Sequence, residues 1–235
     1  TAEEEVVEEE ATETTAAPAT TAAPAEEAAP SGPDGVYKMA IFSDPQTQNY
    51  WNYLDTETDV WTQYVMSGQA VSLFSISYPN YQLVTGIADE LVETSTDNGD
   101  GTWTYSVPIT EGYEWSDGTA ITANDMVFTY NAAKDLGLLS NWETSYPQGS
   151  GTDSAAEGYA QGILTLVASD DYTVEITLNF DAGLASWQYQ IAQAPILPAS
   201  YWTQFATDRE TLLAASGADA PVASAFVYNK IEQGA

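Results

Sequence analysis

The sequence predicts a mixed α/β fold, and three patterns lead to that prediction. Apolar and polar residues alternate over residues 103–110, which is typical of a half-buried strand. A second alternating pair spans residues 163–180 around a polar Ser-Asp-Asp-Tyr turn and indicates a β-hairpin. Between them, residues 122–137 have the spacing of an amphipathic helix. Because strands and helices interleave without a strict βαβ rhythm, we expect a mixed α/β arrangement rather than a doubly wound sheet.

The predicted helix has recognisable ends. Thr122 is a good N-cap, Asp125 follows three residues later, and Gly137 is a stop signal. Local patterns predict the remaining elements less strongly. These are strands at 37–42, 71–76 and 222–228, helices at 59–66, 184–191 and 207–215, and a polar loop at 140–160.

Charge and composition exclude several functions. The chain of 235 residues carries 35 acidic residues against four basic ones, a formal net charge of -31. Such a field repels phosphate backbones, so we expect no nucleic-acid partner. There is no cysteine and no histidine, which excludes disulfides, Cys/His zinc sites and Ser-His-Asp catalysis. We therefore expect no metal and no cofactor. In addition, no apolar run of the sequence is long enough for a transmembrane helix.

Residues 1–35 are predicted to be a disordered acidic linker. The segment is Glu-rich, then carries Thr-Ala-Ala-Pro repeats, and has little that can be buried. Ten acids precede Val36, so the remaining 25 acids against four basic residues leave about -21 on the rest. The chain begins as if already processed, and the linker would hold a domain away from an anchoring point.

Two acidic clusters invite chemical interpretations. Residues 97–101 read Asp-Asn-Gly-Asp-Gly, but they lack the ligand spacing of a calcium loop and predict a hairpin turn. Glu111, Glu114 and Asp117 lie near Trp115, and paired carboxylates beside aromatic rings are used in glycoside cleavage. Spacing in sequence does not place two carboxyls across a sugar, so we predict structural roles for them and no catalytic residue.

Aromatic residues make up 12% of the chain and form two clusters outside the periodic segments. One spans residues 50–53, and the other comprises Asn141, Trp142 and Tyr146. Rings in irregular segments either grip sugars or peptide side chains in a cleft, or pack over a loop. The sequence leaves both alternatives open.

Two motifs give the chain a family resemblance. Residues 104–112 read Thr-Tyr-Ser-Val-Pro-Ile-Thr-Glu-Gly, and residues 115–128 read Trp-Ser-Asp-Gly-Thr-Ala-Ile-Thr-Ala-Asn-Asp-Met-Val-Phe. Together they resemble the signature of extracytoplasmic solute-binding proteins of family 5, the oligopeptide/dipeptide-binding proteins of ABC transporters. Departures are Pro108, Thr110 in place of a basic residue, and Ala225 in place of Gly or Pro. Further matches follow in order at 39–45, 83–88, 173–178, 195–198 and 221–228.

The resemblance implies a class II periplasmic-binding-protein-like fold with two lobes. This chain then resembles an N-terminal fragment that holds only the first lobe with its inserted subdomain, while the second lobe is absent. By analogy, residues 36–49 and 173–235 belong to the first lobe and residues 50–172 to the inserted subdomain.

The same resemblance implies a function without covalent chemistry. The expected protein is a monomeric substrate-binding subunit of an ABC importer, extracytoplasmic and lipid-anchored, with the permease subunits as partners. It would capture peptides or other small solutes by closure of two lobes. The alternative is a secreted carbohydrate-binding or glycoside-cleaving domain that uses the aromatic clusters together with Glu111 and Glu114. The residues expected to line the cleft are Ser43, Asp44, Pro45 and Gln46 after the first strand, and Trp142 or Tyr146 after the signature helix.

Overall fold

Four antiparallel strands form the main sheet of the structure, a computed structural model that describes residues 40–56, 59–151 and 159–223. The described residues belong to one compact unit, Met39–Ala235. The strand order is β3-β4-β6-β5, and β1 pairs with β2 in a separate hairpin. The strands are β1 (Phe74–Ile76), β2 (Leu83–Thr85), β3 (Thr96–Asp97), β4 (Trp103–Pro108), β5 (Ile163–Asp170) and β6 (Thr173–Leu178).

The alternating patterns in the sequence decide which face of this sheet is buried. Tyr105 and Val107 of β4 face the core, and Ile176 of β6 pairs with Tyr105 in register. The predicted strand at 103–110 and the hairpin at 163–180 are thereby confirmed. Pro108 lies at the end of β4, beyond the two residues that pair with β3, so its missing N–H removes no bond from that edge.

The longest helix packs against this sheet and has the ends that the sequence predicts. In α3 (Ala123–Asp135), Thr122 is the N-cap, and its amide donates to Asp125 Oδ2 at 3.0 Å. The chain leaves the helix at Gly137, whose φ of 63° suits glycine. The other helices are short: α1 (Tyr50–Asp55), α2 (Val60–Met66), α4 (Asn141–Ser145), α5 (Leu184–Trp187), α6 (Ala199–Trp202) and α7 (Arg209–Ala214), with a 3-10 turn at Ile191–Gln193.

A cluster of stacked aromatic rings joins these short helices. The Trp51 indole of α1 stacks on the Trp142 indole of α4 with 4.7 Å between ring centroids. Trp202 of α6 meets Trp51 edge-on at 6.2 Å, and Tyr146 lies parallel to Trp142 at 6.4 Å. All four rings are at most 1% exposed. The two aromatic clusters of the sequence therefore meet in one core.

An ion pair ties α1 to α7 at the edge of this core. The Asp55 side chain is fully buried, and its Oδ2 accepts from Arg209 Nη2 at 2.5 Å. Its Oδ1 accepts from the Leu139 amide at 2.7 Å, just before α4. Both carboxylate oxygens are thus paired, as burial of a charge requires.

Some sequence predictions need correction. Residues 40–42 of the strand predicted at 37–42 form no strand, and Phe42 is 94% exposed with its ring beside Trp61. The loop predicted at 140–160 contains α4, which is stabilised by the packing of Trp142. Strand β1 starts only at Phe74, because Val71 bridges Ile196 instead. The helix predicted at 184–191 divides into α5 and the 3-10 turn, whereas those predicted at 59–66 and 207–215 are confirmed.

The linker predicted at 1–35 lies outside the described residues, as do residues 37–39 and 224–228 of the predicted end strands.

One hydrophobic core runs through both parts of the predicted domain division. It contains Trp51 and Trp142 from the predicted insertion together with Ile176, Trp202 and Leu212 from the predicted first lobe. The proposed boundary at residues 172–173 coincides with the turn between β5 and β6. The division into a lobe and an inserted subdomain stays a prediction.

Candidate functional site

A cavity of about 490 Å³ opens beside the aromatic core. Helices α1, α2 and α4 form its walls, together with residues 70–72 and the segment after the 3-10 turn. We call it the α2 cavity. Its hydroxyl and amide groups come from Tyr50, Tyr53, Gln63, Ser72, Asn141, Ser145 and Gln193. Aromatic walls with a few amides and hydroxyls are typical of sites for small polar ligands.

Helix α1 separates the cavity from the core. Asn49 caps the helix by accepting from the Asn52 amide at 3.1 Å. Tyr50 and Tyr53 then fall one turn apart, pack edge-on at 5.8 Å and line the cavity, while Trp51 enters the core. Burial raises the pKa of both phenols, so they stay neutral hydrogen-bonding groups at ordinary pH.

Asp59 supplies the carboxylate among the described residues that line the α2 cavity. Its Oδ1 accepts from the amides of Trp61 and Thr62, each at 2.9 Å, and so caps α2. Hydrogen bonds from the Thr62 side chain and amide hold the pKa of this carboxyl below its usual value. Asp59 Oδ1 is therefore used within its own helix, whereas its Oδ2 is buried without a hydrogen-bond partner.

A second cavity of about 510 Å³ lies where residues 44–49 meet residues 215–217. We call it the loop cavity. The Asn49 side chain holds the two segments together, since its Nδ2 donates to the carbonyls of Leu212 at 2.7 Å and Ala215 at 2.8 Å. The backbone of Gly217 comes so close to that of Gln48 that a Cβ atom added to Gly217 would lie 1.9 Å from the Gln48 carbonyl oxygen.

Replacing Gly217 with alanine should therefore open the loop cavity and destabilise the protein. The added methyl meets backbone rather than a movable side chain, and we expect a loss of about 1–3 kcal/mol. Urea denaturation measures the loss. Gly183→Ala is the matched control, because nothing lies within 4 Å of its added Cβ, and its effect should stay within about 0.5 kcal/mol. Equal stability of the two variants would contradict the close approach at Gly217.

The structure places the predicted site residues in different surroundings. Asp44, Pro45 and Gln46 line the loop cavity, and Ser43 precedes them on the exposed chain. Ser43 Oγ donates to the Asp44 carbonyl at 3.4 Å. The role of this loop in ligand binding stays a prediction.

The two aromatic candidates lie in the core. Trp142 and Tyr146 are each 1% exposed and border a separate cavity of about 160 Å³. Their polar atoms are engaged, since Trp142 Nε1 donates to the Trp51 carbonyl at 3.0 Å and Tyr146 OH to the Pro195 carbonyl at 2.8 Å. Their role in ligand binding also stays a prediction. The α2 cavity is lined by the neighbouring Asn141, which belongs to the second aromatic cluster of the sequence, and by Ser145, which no sequence pattern indicated.

The acidic clusters have structural roles. Glu111 and Glu114 are exposed. Asp117 accepts from the Thr119 amide at 3.0 Å and from Thr119 Oγ1 at 2.6 Å, which closes the Asp-Gly turn. Asp97 accepts from the Gly99 amide at 2.8 Å in the same way. Within the described ranges, acidic side chains nowhere form a group of three or more able to hold a metal ion.

Asp125 explains why the motif at 115–128 has its particular residues. Its Oδ2 accepts from the Thr122 amide at 3.0 Å and from Trp115 Nε1 at 3.3 Å, while its Oδ1 accepts from the Ala199 amide at 2.8 Å. One buried carboxylate thus joins the turn before α3, the start of α3 and the start of α6. The motif organises the fold and contributes no residue to either cavity described above.

Comparison with protein families agrees with this motif. Residues 82–228 match the model of bacterial extracellular solute-binding proteins, family 5 Middle. The chain belongs to this family. The matched range includes β2 to β6 and α3 to α7 of this chain, and it therefore contains Asp125 and its hydrogen-bond partners. No curated protein matches the chain.

Three similar solved structures are each much longer than this chain. The PBP AgaA from A. tumefaciens R10, in complex with agropinic acid, has a TM-score of 0.50 at 14% identity, covering 70% of this chain and 28% of AgaA. A periplasmic oligopeptide-binding protein from Thermotoga maritima has a TM-score of 0.49 at 19% identity, covering 75% and 28%. The oligopeptide-binding protein AppA from Bacillus subtilis, in complex with a nonapeptide, has a TM-score of 0.42 at 18% identity, covering 65% and 26%.

The likeness to AgaA shows the fold, that of a periplasmic-binding-protein-like molecule. The family 5 chain spans between a quarter and a third of the length of these structures. In the described parts of the chain, every helix is too short or too polar to span a bilayer.

Proposed function

We propose that the protein is the substrate-binding subunit of an ABC importer and captures a small solute outside the cytoplasmic membrane. The match to family 5 over residues 82–228 carries this proposal. The permease subunits are the proposed partners, the protein acts as a monomer, and a lipid anchor beyond the acidic linker holds it at the membrane. Family 5 proteins are binding proteins, and the proposed mechanism contains no covalent step.

The proposed mechanism is the closure of two lobes around the solute. The described residues would form one wall, and a further lobe would supply the second wall; the chain spans 26% of the length of AppA and 28% of AgaA, which is compatible with this. The α2 cavity suits a wall of this kind, because the stacked core of Trp51 and Trp142 supports α1 and α4 from behind. A rigid wall loses little conformational freedom when ligand binds, so closure can follow from contacts that both lobes make with the solute.

The glycoside-cleaving alternative gains no support from the site. Glu111 and Glu114 are exposed beside a turn and line neither of the two larger cavities. A glycosidase needs two carboxyls facing each other across the scissile bond. Among the described residues that line the α2 cavity there is one carboxylate, Asp59, and the amides of its own helix bind its Oδ1.

Calorimetric titration of the full-length protein tests the proposal. Peptide and oligosaccharide libraries are titrated into wild type, and one of them should give saturable heat. Asn141→Ala and Gln63→Ala should then weaken binding, since both side chains line the α2 cavity. Asn80→Ala is the matched control, because Asn80 is exposed between β1 and β2 and lines neither cavity. A folded protein that gives no heat with either library would contradict a solute-binding function.

A further inference from the structure

Three aromatic rings form an open surface on α2 and the chain that crosses it. The Phe42 ring lies 5.2 Å from the Trp61 ring, and the Trp61 ring lies 6.1 Å from the Tyr64 ring, centroid to centroid. Phe42 is 94% exposed and Tyr64 is 49% exposed. We call these three residues the aromatic platform. Neighbouring exposed rings of this kind mark a binding surface more often than single exposed apolar residues do.

The aromatic platform is held in place by hydrogen bonds next to its rings. Asp59 caps α2 through the amide of Trp61 itself. The Gln46 amide donates to Thr62 Oγ1 at 2.9 Å, which fixes the loop after Phe42 against the same helix. Because these bonds order the backbone before any ligand arrives, binding to the rings costs little additional conformational entropy.

The aromatic platform is continuous with the α2 cavity through a single helix. Val60 and Gln63 of α2 line the cavity. Trp61 and Tyr64 of the platform are the residues that directly follow them in the same helix. The loop that carries Phe42 continues into Asp44–Gln46, which line the loop cavity. A ligand in the α2 cavity that extends along α2 would therefore reach the rings.

Charge decides what kind of ligand this surface can accept. The chain has a net charge of -31, yet residues 60–88 contain no charged side chain. The two basic residues in the described ranges, Lys134 and Arg209, pair with Asp135 and Asp55 and line neither of the two larger cavities. Within the described ranges a carboxylate or phosphate would thus find no unpaired basic side chain, and the surrounding acidity would repel it.

Among the described residues that line the α2 cavity, one carboxylate is available to a ligand, that of Asp59. Its Oδ1 accepts two amide hydrogen bonds, whereas its Oδ2 is buried without a hydrogen-bond partner and can accept from one ligand donor, a hydroxyl as well as an ammonium group. The rest of the surface consists of ring faces beside amides and hydroxyls. Neutral sugars fit this chemistry, because one face of a pyranose ring presents C–H groups that pack on an aromatic ring while its hydroxyls bond to amides.

We propose that the aromatic platform binds a neutral saccharide, with sugar rings stacked on Trp61 and Phe42 and hydroxyls directed toward Gln63 and the α2 cavity. This inference rests on the proposed solute-binding function and names its ligand class.

Titration calorimetry on the full-length protein tests the inference. The probes are neutral manno-, cello- and xylo-oligosaccharides, with oligogalacturonides as an anionic comparison and neutral peptides as a second class. At least one neutral series should bind, and Trp61→Ala should weaken its binding about tenfold or more. Phe42→Ala should also weaken it, and because Phe42 is 94% exposed this variant should fold normally. Trp61→Tyr should retain most of the affinity, since it keeps a ring.

Tyr189→Ala is the matched control, because Tyr189 is 48% exposed and belongs to neither cavity nor platform. Its saccharide affinity should equal that of wild type. Tighter binding of oligogalacturonides than of neutral sugars would overturn the inference. So would peptide binding in the full-length protein that Trp61→Ala and Phe42→Ala leave unchanged, although the solute-binding function would then stand. Absence of heat from every probe in the full-length protein would contradict both.

Discussion

Replacing Trp142 with alanine is expected to lower the free energy of unfolding by about 3–5 kcal/mol. The indole is 1% exposed and stacks on Trp51 at 4.7 Å, with Tyr146 parallel to it at 6.4 Å. Alanine would leave a void between α1 and α4 and remove the donor to the Trp51 carbonyl. Urea denaturation followed by far-UV circular dichroism measures the loss.

A control separates burial from aromatic character. Tyr113→Ala removes a ring that is 45% exposed, and its effect should be within about 0.5 kcal/mol. The variants also distinguish two roles for Trp142. If Trp142→Ala kept near-wild-type stability but lost ligand affinity, the ring would be a direct part of the ligand site, as the family resemblance implies. Loss of stability with affinity retained in the folded fraction would assign the ring to the core.

The elements that sequence alone predicted are those whose pattern is local. Strand β4 and the β5–β6 hairpin follow from alternation, and α3 follows from its cap at Thr122 and its stop at Gly137. Each of these signals lies within the segment that it describes. Helix α4 has no such signal. It has five residues, too few to be stable alone, and depends on the packing of Trp142 against Trp51, which is 91 residues away.

The site was harder to predict for the same reason. The sequence shows both aromatic clusters but does not determine which rings face a cavity. Tyr50 and Trp51 are adjacent in sequence, yet one lines the α2 cavity and the other is fully buried. Neighbours on a helix point about 100° apart, so only the position of the surrounding elements decides which of them reaches solvent. On α4, likewise, Asn141 lines the α2 cavity while the adjacent Trp142 is buried.

Replacing Asp125 with alanine is expected to lower the free energy of unfolding by about 3–5 kcal/mol. The side chain is 5% exposed and accepts hydrogen bonds from the amides of Thr122 and Ala199 and from Trp115 Nε1. Alanine would leave these three donors without their acceptor and would detach α6 from the start of α3. Asp89→Ala, at an exposed position, is the control and should change stability little.

The pH dependence of stability gives a second, independent measurement on Asp125. Burial raises the pKa of this carboxyl above its ordinary 3.8 and outweighs the hydrogen bonds from Thr122 and Ala199, which lower it. The native state then holds the proton more tightly than the unfolded chain, so this stabilising contribution is fully present below pH 3.8 and is lost as pH rises through the folded-state pKa. The difference in unfolding free energy between wild type and Asp125→Asn should therefore fall with rising pH over that range. A difference that grows with pH would show that the hydrogen bonds dominate, with the charged carboxylate as the form that stabilises the fold.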